Sequence, residues 1–544
     1  MRSSLSRCGI RAFSAENQRP PPVGVVLKEG TPIAKAFQTY GGAAYRVYCD
    51  LEERVIAPES SDPLTKISAS EAAQRIREGK LSSYDLAKTY LNRIRFVNTY
   101  VNAVSERFDV EALESARKVD EYIESLDKNS EEFRNLPQTK PLLGIPVSIK
   151  HAFDVKGQRN ICGLTHRRDI PEATEDAAAV KRVREAGGIP HCYTNVPESC
   201  MWSDSSNKIF GTTSSPYDNR TMAGGSSGGE ASIISAEGSL LGIGSDLGGS
   251  VRNPAIFNGI FGLKCVNDIP MEGHFPNTTV EAFKVIAGVG PLARYAKDMA
   301  MFYSVLSADP ISKNFGNLKP SKVLFTVDSC DMINPLSPVV YDAVHKVARS
   351  LATKYSVPME EYHLPPMEKL IECQINVCCP PGAENFVIEG VFPRVDASNF
   401  ITEKIKAYLN VSKVSIGPAE GVHYFSNSKS PQRHQQLLKD LDEYRKKVAD
   451  DLKENVVLVG PSLPRNYYLH NEMTLFGHLD WFHTAIFNGL ALPAAAVPIG
   501  LDQHGYPVSA QIAASRGNNY LLIRMMEVLE KEFGGWRPPR QGTK

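Results

Sequence analysis

Residues 224–252 read Gly-Gly-Ser-Ser-Gly-Gly-Glu-Ala-Ser-Ile-Ile-Ser-Ala-Glu-Gly-Ser-Leu-Leu-Gly-Ile-Gly-Ser-Asp-Leu-Gly-Gly-Ser-Val-Arg. Two clusters of glycine and serine, Gly224–Glu230 and Gly242–Arg252, lie on either side of an apolar run. Leu240–Asp246 reads as a strand, which makes Leu247–Ser250 its exit loop. Active sites of α/β sheets favour that end. Glycine tolerates positive φ and lets backbone N–H groups approach a ligand closely. Serines set among such glycines suggest a reactive hydroxyl surrounded by backbone donors.

The flanking sequence has the texture of an α/β sheet. Upstream, Leu142–Ile149 is a short apolar, β-branched run that ends at Lys150, as a buried strand would. Asp176–Ala186 predicts a helix stopped by Gly187-Gly188, and Ile189–Thr194 the next strand. Downstream, Val456–Val459, Ala494–Ile499 and Val508–Ala513 predict strands, and Asn519–Phe533 a helix. Strands alternating with helices argue for an α/β fold whose sheet is covered on both faces. Structure is expected from near Ile67. Ser68 with Glu71, and Ser82 with Asp85, have capping-box spacing, and a further helix is expected over Val110–Ile123. Pro335–Val347 and Gln432–Leu452 predict helices within a weaker region, about 312–450. The whole reads as one large domain, 67–536, with that region as a variable helical part.

Composition narrows the function. In 544 residues, Lys plus Arg and Asp plus Glu are balanced at 61 each, so no global basic field favours nucleic acid. A small ligand is expected. The ten cysteines contain no Cys-x-x-Cys pair, and the histidines have no partners at metal-ligand spacing, so reduced thiols and no metal are expected. The longest apolar stretch, Thr484–Gly500, is broken by Asn488, Pro493 and Pro498 and reads as core rather than a membrane span. Arg2, Arg7 and Arg11 precede the first acid, Glu16. Residues 1–25 thus read equally as a mitochondrial transit peptide or a disordered basic tail. The location expected is intracellular: mitochondrial if that segment is an address, otherwise cytoplasmic or peripheral to membranes.

Neither glycine cluster ends as a Walker loop does, and Leu247 stands where a dinucleotide fingerprint needs its third glycine. Gly224-x-Ser226-x-Gly228 matches a nucleophile elbow. That reading requires an acid and a histidine, and nothing selects one among His423, His470, His478 and His483.

Taken together, Pro146–Lys150, Gly224–Glu230, Gly242–Arg252 and Asn258–Lys264 resemble the amidase signature family. Within it, Thr194–Trp202, Ser205–Lys208 and Phe533–Trp536 are most similar to the fatty-acid amide hydrolase branch. The resemblance implies a single large mixed, twisted β-sheet flanked by helices on both faces. It also implies a serine hydrolase that cleaves carboxylic amides through an acyl-enzyme. Ser250 would be the nucleophile, Ser226 a relay on a cis peptide, and Lys150 the base, with no cofactor. The oxyanion would be held by the amides of Leu247, Gly248, Gly249 and Ser250. Cys200, Met201 and Trp202 would line an acyl pocket, Ser227 would orient Ser226 by a hydrogen bond, and Asp246 and Arg252 would hold the loop. Many members carry an acid after the lysine; here His151 follows, adding no negative charge beside Lys150. Lysine acts as a base only when neutral, and desolvation disfavours its charged form. The expected substrate is a small-molecule amide with a lipid acyl chain. A glutamine-hydrolysing amidotransferase subunit and a general small-amide or ester hydrolase are the alternatives. Peripheral membrane contact and a homodimer are compatible with the resemblance.

Overall fold

The computed structural model describes residues 41–276, 285–378, 402, 405–407, 412, 415, 430–477 and 479–540. The basic N-terminal segment, most of 379–429, His423 and His478 lie outside the described residues.

Eleven strands among them form one sheet. In chain order these are β1 (Val104–Arg107), β2 (Pro146–Lys150), β3 (Ile189–Thr194), β4 (Leu241–Asp246), β5 (Phe261–Lys264) and β6 (Gly288–Ala293). They continue with β7 (Val323–Phe325), β8 (Met359–Glu361), β9 (Val457–Pro461), β10 (Ala494–Leu501) and β11 (Pro507–Ala513). The spatial order is β1-β3-β2-β4-β6-β5-β10-β11-β9-β7-β8. β2 runs parallel to both β3 and β4, with Lys150 opposite Thr194 and Ile149 opposite Ile243. From β4 through β6, β5, β10 and β11 to β9 each pairing is antiparallel. β7 lies parallel to β9 and β8. The sheet is thus mixed, as the family resemblance implies.

Helices cover both faces. They are α1 (Ala69–Arg77), α2 (Ser83–Val101), α3 (Asp109–Ser125), α4 (Ala178–Glu185), α5 (Gly228–Ser235), α6 (Arg252–Phe257), α7 (Ala296–Ser307), α8 (Pro338–Tyr355), α9 (Met367–Cys378), α10 (Pro431–Asp451), α11 (Phe482–Gly489) and α12 (Asn519–Phe533). Strand side chains alternate between faces, and both sets here are apolar. Val457, Val459, Ala495 and Val497 pack with Met299 of α7, Val344 of α8 and Leu522 of α12. Leu458 and Ala494 turn the other way, onto Ile371, Leu441 and Phe482 of α9, α10 and α11. Ala496 and Leu292 meet Ile94, Ile233 and Ile256 of α2, α5 and α6. Burial of each such valine, leucine, isoleucine, methionine or phenylalanine contributes about 1.5–3 kcal/mol, so a sheet with two apolar faces has no stable wet side. Among the described residues no helix is long and apolar enough to cross a membrane.

Both expected caps form: Ser68 Oγ accepts from the Glu71 amide at 3.1 Å, and Ser82 Oγ from the Asp85 amide at 3.2 Å. The ordered body begins earlier than Ile67, however. A helix over Gly42–Cys49 is fastened to it by Tyr45, which donates to the His470 carbonyl at 2.7 Å, and by Arg46, 2.7 Å from Glu472. This helix has no side-chain cap and buries little, so periodicity gave no sign of it. The apolar stretch Thr484–Gly500 is core, but it divides at Leu490–Pro493 into the end of α11 and β10.

Candidate active site

Lys150 ends β2, fully buried, and its Nζ lies 2.7 Å from Ser226 Oγ. The same nitrogen donates to Ser245 Oγ at 2.9 Å and to the Ser245 carbonyl at 3.3 Å. β2 and β4 are parallel neighbours, so their C-terminal ends deliver Lys150 and Ser245 to the same edge of the sheet. Ser226 sits on the turn into α5, after a cis peptide bond from Gly225. That turn is hemmed in: a side chain on Gly225 would strike the backbone of Trp202 and Ser203.

Ser245 is bound in turn by His274, whose Nε2 is 2.9 Å from Ser245 Oγ. Its Nδ1 is 3.1 Å from the Pro276 carbonyl, which can only accept. The proton therefore sits on Nδ1, and Nε2 accepts the Ser245 hydroxyl hydrogen. Burial pushes His274 down to about 3 and keeps the ring neutral. His274 and Ser245 were not singled out from the sequence. Ser245 lay within the glycine-rich stretch, whereas His274 stands in no motif.

The exit loop of β4 is pinned from beneath. The buried Asp246 carboxylate accepts from the Gly249 amide at 2.7 Å and the Val251 amide at 3.1 Å. Arg252 donates to it from Nε and Nη2, each at 3.1 Å, and Asn488 from Nδ2 at 2.9 Å. Burial alone would raise this carboxyl, but Arg252, Lys264 and Asn488 hold it well below the usual range. Arg252 also reaches the Thr484 carbonyl at 2.7 Å and Gln511 Oε1 at 2.8 Å, tying the loop to α11 and β11. Gly249 has φ +109°, a region that favours glycine. Its amide is committed to Asp246. Among the described residues, the amides of Leu247, Gly248 and Ser250 have no hydrogen-bond partner.

Ser250 is half-buried, whereas Ser226 is 2% exposed. The two clusters meet through Ser227, whose amide donates to the Ser250 carbonyl at 3.1 Å and whose Oγ donates to the Ser245 carbonyl at 3.4 Å. Ser227 therefore links the clusters and makes no hydrogen bond to Ser226. Trp202 donates from Nε1 to Thr474 at 2.6 Å while its backbone abuts Gly225. Met201 closes a turn onto the Glu198 carbonyl at 3.1 Å. The Cys200 sulfur lies 3.6 Å from that of Cys162. His151 turns away: it stacks on Tyr193 at 4.1 Å, bonds Ser105 and the Arg159 carbonyl, and burial pushes it down to about 4.

This arrangement pairs a buried amine with one hydroxyl, beside a second, accessible hydroxyl on a loop with free amides. The Amidase family model matches residues 85–523. The chain belongs to the amidase signature family. Fatty-acid amide hydrolase 2-A of Danio rerio is 32% identical to it over 528 residues, 92% of this chain and 95% of that protein. Fatty-acid amide hydrolase 2 of Homo sapiens is 32% identical over 494 residues, 88% of this chain and 91% of that protein. A solved fatty acid amide hydrolase shares the fold with a TM-score of 0.71 at 21% identity, covering 94% of this chain and 92% of its own. This amidase is an enzyme that hydrolyses amides of small molecules.

Proposed function

We propose that this amidase cleaves fatty-acid amides through a Ser250–Ser226–Lys150 triad. The observation that carries the triad is the set of acceptors around Lys150. A neutral amine has two N–H donors and one lone pair. Ser245 Oγ, its own hydrogen given to His274, and the Ser245 carbonyl take the two N–H groups. The lone pair is left for the Ser226 hydroxyl at 2.7 Å.

Ser250 Oγ then attacks the amide carbonyl as its proton passes to Ser226 Oγ and the Ser226 proton passes to Lys150 Nζ. The oxyanion is held by the amides of Leu247, Gly248 and Ser250, with Gly249 fixed by Asp246 so that the loop keeps its shape. Such donors are typically worth about 2.7–4 kcal/mol each when removed. The Lys150 ammonium returns its proton through Ser226 to the leaving amine, and water cleaves the acyl-enzyme by the same route. Arg252 and Asp246 hold the loop; Cys200, Met201 and Trp202 form the wall beside Ser226 on which an acyl chain would rest.

The substrate rests on likeness to relatives named fatty-acid amide hydrolases over about nine-tenths of the chain. On the same reading residues 67–536 form the amidase domain, extended by the Gly42–Cys49 helix, and any contact with a membrane is peripheral. Release of oleic acid from oleamide, compared with ammonia release from glutamine and from acetamide, tests it. Oleamide should exceed the other two by at least about 100-fold in kcat/KM, the discrimination a long apolar contact can supply. Equal or greater rates on glutamine or acetamide would overturn the substrate assignment.

A further inference from the structure

Two thiols near the proposed base carry no proton in that mechanism. Cys162 and Cys200 lie with their sulfurs 3.6 Å apart. Their backbones are neighbours as well, because the Ser199 amide donates to the Cys162 carbonyl at 2.9 Å. Cys162 is wholly buried and Cys200 partly exposed. Cys162 comes from the loop after β2, Cys200 from the turn preceding Trp202, so the pair joins two walls of the site.

We propose that Cys162 and Cys200 are a modification site, oxidised by peroxide to an intramolecular disulfide that slows the amidase. The effect on rate rests on the Lys150–Ser226 reading above; formation of the bond does not. Burial raises both thiols. At Cys200 it is outweighed, first by the hydrogen bond with Cys162, whereas Cys162 stays well above the usual thiol range. Cys200, the sulfur that solvent reaches, is therefore the attacking thiolate, and the wholly buried Cys162 the resolving thiol.

The Cys200 thiolate attacks one peroxide oxygen, the O–O bond breaks, and the departing hydroxide takes the proton that Cys200 gave up to become water. Cys162 sulfur then attacks the Cys200 sulfenic sulfur. The S–O bond breaks, and its hydroxyl leaves as a second water with the Cys162 proton. Two thiols lose two electrons to one peroxide. Closing 3.6 Å to a disulfide draws the sulfurs together by about 1.5 Å. That movement pulls on the turn before Trp202, whose backbone packs against Gly225, the neighbour of Ser226. A misplacement of about 1 Å in a catalytic site can cost about 100-fold, so a fall of at least about tenfold in kcat/KM is expected.

The test treats the full chain with hydrogen peroxide, alkylates free thiols and maps peptides by mass spectrometry. A peptide pair linking Cys162 to Cys200, lighter by two hydrogens, should appear as kcat/KM falls at least about tenfold, and dithiothreitol should reverse both. Cys162→Ser and Cys162→Ala should form no link and should instead hold Cys200 as a sulfenic acid, which dimedone labels. In the wild-type chain, alkylation of both cysteines after peroxide, or oxidised Cys200 without a link, would overturn the proposal. A complete link with unchanged kcat/KM would overturn its effect on catalysis while leaving the bond established.

Discussion

Asp246→Asn perturbs the support of the exit loop with almost no change in shape. The carboxylate and its partner Arg252 are both fully buried, with Nε 3.1 Å from Oδ2. Its oxygens also receive the amides of Gly249 and Val251 and the side chain of Asn488. Asparagine keeps one acceptor and places an NH2 where the other oxygen met its donors. The guanidinium is left buried without a counter-charge, while Lys264, buried at 0% exposure, stays nearby. Removing one partner of a buried pair costs about 3–5 kcal/mol, against total stabilities of about 5–15 kcal/mol. The Asp246 carboxyl is held below its ordinary value in the folded chain. Its contribution is therefore fully present above the unfolded value of about 3.9 and lost only as pH falls through the lower folded value. The deficit of the variant should be complete at pH 7 and shrink only in strong acid. Urea unfolding of both proteins at pH 7, with turnover measured on the same samples, decides the matter. A shift below about 0.5 kcal/mol, the range of ordinary surface changes, with turnover intact, would refute the reasoning.

Ser245→Ala removes one acceptor of Lys150 and the donor to His274, and kcat/KM should fall by about 10- to 100-fold through misplacement of the amine; steady-state rates equal to wild type would contradict its orienting role. Lys150→Ala should cost more, about 100- to 10,000-fold, as loss of the proton acceptor itself. Gly249→Ala forces a side chain into φ +109° and against Thr484 and Asn253, at a cost of about 1–3 kcal/mol. Thermal unfolding should register that loss, with turnover reduced because the loop carries the free amides. Burial pushes Glu230 up to about 8 in the folded chain, despite hydrogen bonds from Ser148 and Thr194. The folded state therefore binds this proton more tightly, and wild-type stability should decline as pH rises from about 4.3 towards the folded value. Glu230→Gln should lessen that decline in denaturant midpoints taken at pH 5, 7 and 9; identical slopes would contradict the assignment.

Much of the architecture was legible because burial imposes a period. Asn519–Phe533 carries an apolar helical stripe and folds as that helix, and Ile189–Thr194 is the expected strand. β5 and β6 were not legible as strands: they are short, interrupted by glycine and, in β6, by Pro291, and their burial on both faces erases alternation. The ends of β2 and β4 were readable from where apolar runs stop, which is why Lys150 and the loop after Asp246 could be named. What no local pattern carries is contact across the chain. His274 meets Ser245, and Thr484, Asn488 and Gln511 meet Arg252, only because separate elements converge. The pairing of the Gly249 amide with Asp246 is equally invisible from spacing, since a backbone donor has no side chain to betray it.

The central claim is that Ser250, and not Ser226, is the nucleophile. A fluorophosphonate probe forms a stable adduct on an activated serine oxygen, and peptide mapping locates it. The adduct should be found on Ser250, should disappear in Ser250→Ala, and should form far more slowly in Lys150→Ala. An adduct on Ser226, or undiminished labelling of Ser250→Ala, would contradict the account.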